Sequence, residues 1–277
     1  MKLFRTLARL IPQCGMISQA VAFNMFLAFF PILLVALGLV SSFLAGESGH
    51  EAAGRLSAIL PPGSWQLVSE FLLRHQENAF RWVLFGWGAT LLVGSQVMKL
   101  IMEGIHMIYG DRERHSFVGR QLRGMLLFCV TIVGWIAAFV LSVFSHLLRQ
   151  WVALAFGQSF LVRSLWNIMI PVVGLLLTML VLALIYRFAR PKMTTWRSIW
   201  PGAGAATVLW WGVTWIFGVY VQKMQFGLVY GSLAAVIGLM VWMELSAMIV
   251  FLGAAWNAES ANDNDAPVMT REERGVV

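Results

Sequence analysis

The chain has 277 residues, 59% of them hydrophobic and 12% charged, with a mean hydropathy of +0.76. A soluble globular domain carries roughly twice that charged fraction, so the composition excludes an ordinary soluble enzyme and describes an integral membrane protein built from spanning helices of about 20 apolar residues each. The net charge of +7 and pI near 10.0 do not describe a nucleic-acid binder, because the basic residues flank apolar runs instead of forming a stripe with interleaved aromatics.

The N-terminal stretch "MKLFRTLARLIPQCG" is basic like a signal-peptide n-region, but the apolar run after it continues to about Ala45. That is too long for a cleaved apolar segment, so a retained first helix is expected over 18–45. Within it Gln19 and Asn24 precede Pro31. A proline in a spanning helix frees a backbone carbonyl and permits a kink, which makes Pro31 a candidate hinge, or a static kink held by its neighbours, and Asn24 a candidate pathway residue.

Residues 46–81 form the longest connecting segment. In "ILPPGSWQLVSEFLLRH", Pro61, Pro62 and Gly63 break the chain and Ser64 offers a cap. Trp65, Val68, Phe71 and Leu72 then recur at helical spacing, predicting a short amphipathic helix on the outer surface.

The second run, 82–108, carries Gln96, Lys99, Glu103 and His106, spaced by three, four and three. Such spacing lines one helix face and allows a Lys99–Glu103 pair. One reading is the polar lining of a cytoplasm-facing cavity, with Gln96, Glu103 and His106 on a pathway. The other is an interfacial stripe with Lys99 reaching for the headgroups. Further runs follow at 124–146, 166–189 and 201–221. Arg187, Arg190, Lys192 and Arg197 lie between the last two, where basic charge meets lipid headgroups or fixes topology.

The sixth run, 231–256, contains one charged residue, Glu244. Inserting a charge at the bilayer centre costs roughly 2.5 to 3.5 kcal/mol. Protonation, a basic partner on another helix or a water-filled cavity offsets that cost. Its neighbours at three and four residues are Met240, Val241, Ala247 and Met248, with Ser246 pointing elsewhere. Glu244 is therefore either a proton-coupling or substrate-contacting carboxyl, or a protonated packing group bonded to a neighbouring helix. From Asn257 the polar end of the chain reads as a disordered tail, leaving 1–256 as the membrane domain.

Cytoplasmic connections retain Lys and Arg. With the N-terminus inside, the inner segments hold 14 basic residues and the outer ones 6, so both termini are expected in the cytoplasm. Cys14 and Cys129 have no metal-type or CxxC spacing. His50, His75, His106, His115 and His146 are scattered over both sides, whereas metal-dependent RNA hydrolysis needs clustered ligands. No metal or cofactor signature is visible, and no catalytic residue is assigned.

"AVAFNMFLAFFPILL", "ILPPGSWQLVSEFL", "PKMTTWRSIWPGAGAATVLW" and "YGSLAAVIGLMVWMELSAMIVFLGAAWNAE" resemble the YihY/BrkB family of bacterial inner-membrane proteins over about residues 10–260. The resemblance implies six helices with cytoplasmic ends. It implies little about activity: the family's old ribonuclease BN label is regarded as a misassignment, some members are linked to virulence or serum resistance, and export roles have been suggested. The family often has Tyr at the position of Glu244 and Asn at that of His106, so a role for Glu244 is not inherited.

The expected fold is thus all-α, six membrane helices with a short outer amphipathic helix. The expected function is inner-membrane transport or export of a small molecule or amphiphile, with Glu244 as the candidate for proton coupling. The alternative is a non-transporting scaffold that binds membrane lipids or a partner protein.

Overall fold

A computed structural model of the chain describes residues 2–44, 79–111, 117–156, 160–190, 195–223 and 230–265. The amphipathic helix expected near residues 64–72, together with His50, His75, His115 and Lys192, lies outside the described residues.

Among the described residues every regular element is an α-helix: α1 (Lys2–Leu44), α2 (Ala79–Tyr109), α3 (Phe117–Phe156), α4 (Phe160–Ala189), α5 (Trp196–Lys223) and α6 (Tyr230–Asp265). Each contains a stretch long and apolar enough to cross a bilayer. In hydrocarbon all backbone N–H and C=O groups must pair internally, which a helix does within its own segment. The 43 residues of α1 extend about 65 Å at 1.5 Å per residue, twice the roughly 30 Å hydrocarbon thickness. Its basic start, Lys2 to Arg9, is a helical extension of the span Cys14–Ala36.

The chain divides into two compact units, residues 23–97 and residues 1–22 with 98–277. In the first, α1 stays helical through Pro31, and Gly86 of α2 packs over the same turn. A Cβ on Gly86 would lie 2.8 Å from Val35 Cγ2 and 3.2 Å from the Pro31 carbonyl oxygen. Small residues permit this approach where lipid supplies no hydrophobic drive for helix association.

In the second unit α5 and α6 share the most extensive interface, and α4 packs on both α3 and α5. Its core includes Ile105, Tyr186, Ile199, Ala203, Ala206, Phe251 and Ala254. Helix α6 does not stop near Trp256 as its hydropathy suggests. It continues to Asp265, and Asn257, assigned from sequence to a disordered tail, is buried. A burial site and a backbone partner for Asn257, described below, override the local polarity.

Candidate functional site

At one end of the larger unit the termini of α2, α4 and α5 meet through polar contacts. Helix α2 ends in a Schellman turn: Gly110, at φ +66°, donates its N–H to the Met107 carbonyl, and Asp111 N–H reaches back to the His106 carbonyl at 3.0 Å. Glycine adopts this left-handed conformation without a Cβ penalty. The turn brings Asp111 to Arg190, just past the end of α4, whose Nε donates to Asp111 Oδ2 at 2.8 Å. Both side chains are nearly buried, at 13% and 12% exposure. The Arg190 guanidinium also lies 3.7 Å from the Tyr109 ring centroid, a flat cation on an aromatic face.

His106 is buried beside this pair, with Nε2 2.7 Å from the Ala189 carbonyl oxygen. A carbonyl only accepts, so Nε2 carries the proton. His106 thereby satisfies one of the carbonyls that the end of α4 leaves without an intrahelical partner. Helix α5 starts from Thr195, which accepts from both the backbone N–H and the hydroxyl of Ser198. Arg187 lies 4.6 Å from the Trp196 ring centroid, and Trp196 stacks on Trp200.

A second cluster joins α4, α5 and α6. Gly202 and Gly253 are so close that a Cβ on Gly202 would collide with the Gly253 carbonyl, and one on Gly253 would collide with the Tyr186 hydroxyl. Asn257 Oδ1 accepts the Gly202 N–H at 2.7 Å, and Tyr186 donates to the Val250 carbonyl at 2.8 Å. These bonds replace water for groups fully withdrawn from it. The Asn257 Nδ2 is buried with no partner among the described residues, as are the hydroxyls of Ser18 and Thr90.

Within the spans, a ladder of indoles and hydroxyls ties α5 to α6. Trp210 Nε1 donates to Ser246 Oγ at 3.2 Å, Ser246 donates in turn to the Trp242 carbonyl, and Trp242 Nε1 donates to Thr214 Oγ1 at 3.3 Å. Trp135 of α3 meets Trp210 edge to face at 5.8 Å. Glu244 sits on α6 inside this region, half-buried. Among the described residues no hydrogen bond or ion pair reaches its carboxyl.

The polar stripe expected on α2 does not act as one face. Gln96 and Glu103 are exposed, whereas His106 is buried. The expected Lys99–Glu103 pair is not formed, because Lys99 Nζ donates to Gln121 Oε1 of α3 at 2.7 Å. A neutral amide on a neighbouring helix outcompetes the carboxylate one turn away, which remains at the surface. Asn24 is half-buried and has a contact partner, Arg197 is exposed, and Arg187 and Arg190 are engaged as described. Sequence reasoning missed Asp111, Tyr109, Tyr186 and Asn257, and it left Ser246 without a role. The "YGD" after a long apolar run carried a signal for Asp111, since glycine past a helix end commonly turns the next residue back. Nothing local marked Asn257.

Six apolar helices with buried polar contacts between their ends define a polytopic α-helical membrane protein. The chain belongs to the Virulence factor BrkB family, whose profile matches residues 12–275. Similar proteins include YfkH of Bacillus subtilis, named as ribonuclease-like, 28% identical over 243 residues, which cover 87% of this chain and 88% of YfkH. UPF0761 membrane proteins of Aromatoleum aromaticum and Xanthomonas oryzae pv. oryzae are 25% and 26% identical over 254 and 249 residues, covering 90% and 86% of this chain. The matched region spans only 60% and 55% of those two relatives. No solved structure matches the chain.

Proposed function

We propose that the chain is a bacterial inner-membrane transporter or exporter of a small molecule or amphiphile, with both termini in the cytoplasm and Glu244 as a carboxyl on the pathway. The observation that carries this reading is the state of Glu244. A glutamate retained only for packing would donate or accept a bond to a neighbouring helix, as the hydroxyls of Ser246, Thr207 and Thr178 do with backbone carbonyls. Glu244 is half-buried and makes no such bond among the described residues. An ionisable group left in this condition within a span is the expected form of a proton-coupling or substrate-contacting site.

The scaffold reading is favoured by a different observation. His106 and Lys99 are locked to partners within the protein, while Gln96 and Glu103 face outward. These four groups then hold helices and meet headgroups, and the pathway rests on Glu244 without them.

Thiol accessibility separates the two. In a background lacking Cys14 and Cys129, Glu244→Cys in intact membranes is treated with a charged, membrane-impermeant thiol reagent, with Ile237→Cys, an exposed apolar position, as the lipid-facing control. Transport predicts labelling at 244 and protection at 237. Protection at both positions favours the scaffold.

A further inference from the structure

Helices α5 and α6 enclose an apolar groove of about 340 Å³. Its walls are Ile216, Phe217 and Tyr220 on α5 and Ile237, Val241 and Trp242 on α6. Phe217 stacks on Trp242 at 5.7 Å and on Tyr220 at 6.3 Å, which gives the groove a continuous aromatic wall. Gly238 shapes it: a Cβ there would lie 2.7 Å from Tyr220 Cε1, so only glycine lets the tyrosine ring lie against α6. Ile216, Ile237 and Val241 are 62%, 53% and 49% exposed, which leaves the groove open sideways to the hydrocarbon of the membrane.

The α5 positions that line it follow the spacing 213, 216, 217, 220, and the next position of that stripe is Lys223, the last residue of α5. Residues three apart share a helix face, so Lys223 continues the groove-lining face of α5 about 4.5 Å beyond Tyr220 along the axis. Lys223 is exposed and makes no ion pair or hydrogen bond among the described residues. Between Glu113 and Glu244 the sequence contains no Asp or Glu, so no carboxylate from α3, α4 or α5 is available to it. An apolar slot open to lipid tails, whose lining face continues to a cation with no partner among the described residues, matches an anionic amphiphile in shape and charge.

We propose that this groove seats an acyl chain of an anionic phospholipid, with its phosphate on Lys223. The inference stands apart from the transport reading, since a bound lipid of this kind requires no movement of substrate. The slot supplies shape and dispersion contact for the chain, and the lysine selects the headgroup by charge.

Native mass spectrometry of the purified full-length chain, incubated with phosphatidylglycerol or phosphatidylcholine of identical acyl chains, tests it. A single lysine at a membrane surface is worth about a fivefold preference for the anionic lipid. Wild type is expected to retain phosphatidylglycerol over phosphatidylcholine by that order. Lys223→Ala is expected to bring the two close to parity, and Lys223→Arg to keep the preference. Val241→Trp, which fills the slot from an already exposed position, is expected to lower retention of both lipids. Val208→Trp, exposed at 64% on α5 outside the groove, is expected to leave retention unchanged. Equal retention of the two lipids by wild type, an unchanged preference in Lys223→Ala, or equal effects of the two tryptophans would each overturn the proposal. Lipid retention is read without any assay of Glu244, so this inference and the transport reading fail separately.

Discussion

Asp111 Oδ2 lies 2.8 Å from Arg190 Nε, linking the second residue beyond the end of α2 to the first beyond the end of α4. The pair is nearly buried, and the arginine also covers the Tyr109 ring. Breaking one side of a buried pair leaves the other charge uncompensated and costs about 3 kcal/mol. Asp111→Ala and Arg190→Ala are therefore expected to lower stability by similar amounts, and the double variant by less than their sum. Gly110→Ala, which forces a side chain into the left-handed region, is expected to cost about 1 kcal/mol. Thermal unfolding in detergent reads all four. Additive losses for the pair would mean that the contact carries no coupling.

The glycines of α5 and α6 divide into two kinds. Gly253 leaves no room for a Cβ, whereas nothing lies within 4 Å of one on Gly212. Gly253→Ala is expected to separate α5 from α6 and lower stability by about 2 to 3 kcal/mol, in the range of overpacked cores. Gly212→Ala is expected to be neutral or stabilising by up to about 1 kcal/mol, from helix propensity alone. The same unfolding measurement checks the opposite signs.

Ser246 both accepts from Trp210 and donates to the Trp242 carbonyl. Ser246→Ala leaves the Trp210 N–H without its acceptor at a buried position, at a cost of about 1 to 2 kcal/mol. Adding Trp210→Phe removes the stranded donor along with its acceptor, so the double variant is expected to lose less than the two single variants combined. A strictly additive result would show that the indole finds another partner.

His106 donates to the last turn of α4. His106→Gln, whose amide nitrogen reaches close to the position of Nε2, is expected to retain most of the stability that His106→Ala loses, about 1 kcal/mol for the bond plus the lost packing. If Gln and Ala are equally damaging, ring packing and not the hydrogen bond holds His106 in place.

The six spans were legible because hydrocarbon thickness imposes a length on apolar runs, and each expected run overlaps a helix. Helix ends were less so. α1 and α6 extend past the apolar segments because polar residues stay helical when their backbone is continuous with a span and, for Asn257, when a partner waits across the interface at Gly202. The pairing of Lys99 was misread for a related reason: spacing along one helix shows Glu103 but not Gln121 of α3, 22 residues on. The Asp111–Arg190 pair spans 79 residues, and periodicity within a helix carries no information about such partners. Glu244 stood out because a lone charge in an apolar run is visible without any knowledge of packing.

Glu244 as a carboxyl that meets water and changes charge is the central claim, and infrared difference spectroscopy tests it most directly. The protein in lipid is titrated with pH, and wild type is compared with Glu244→Gln. A reversible carboxyl band that shifts in heavy water and is missing from Glu244→Gln is the predicted result. A carboxyl that stays protonated across the titration and does not exchange would contradict the account and make Glu244 a packing group.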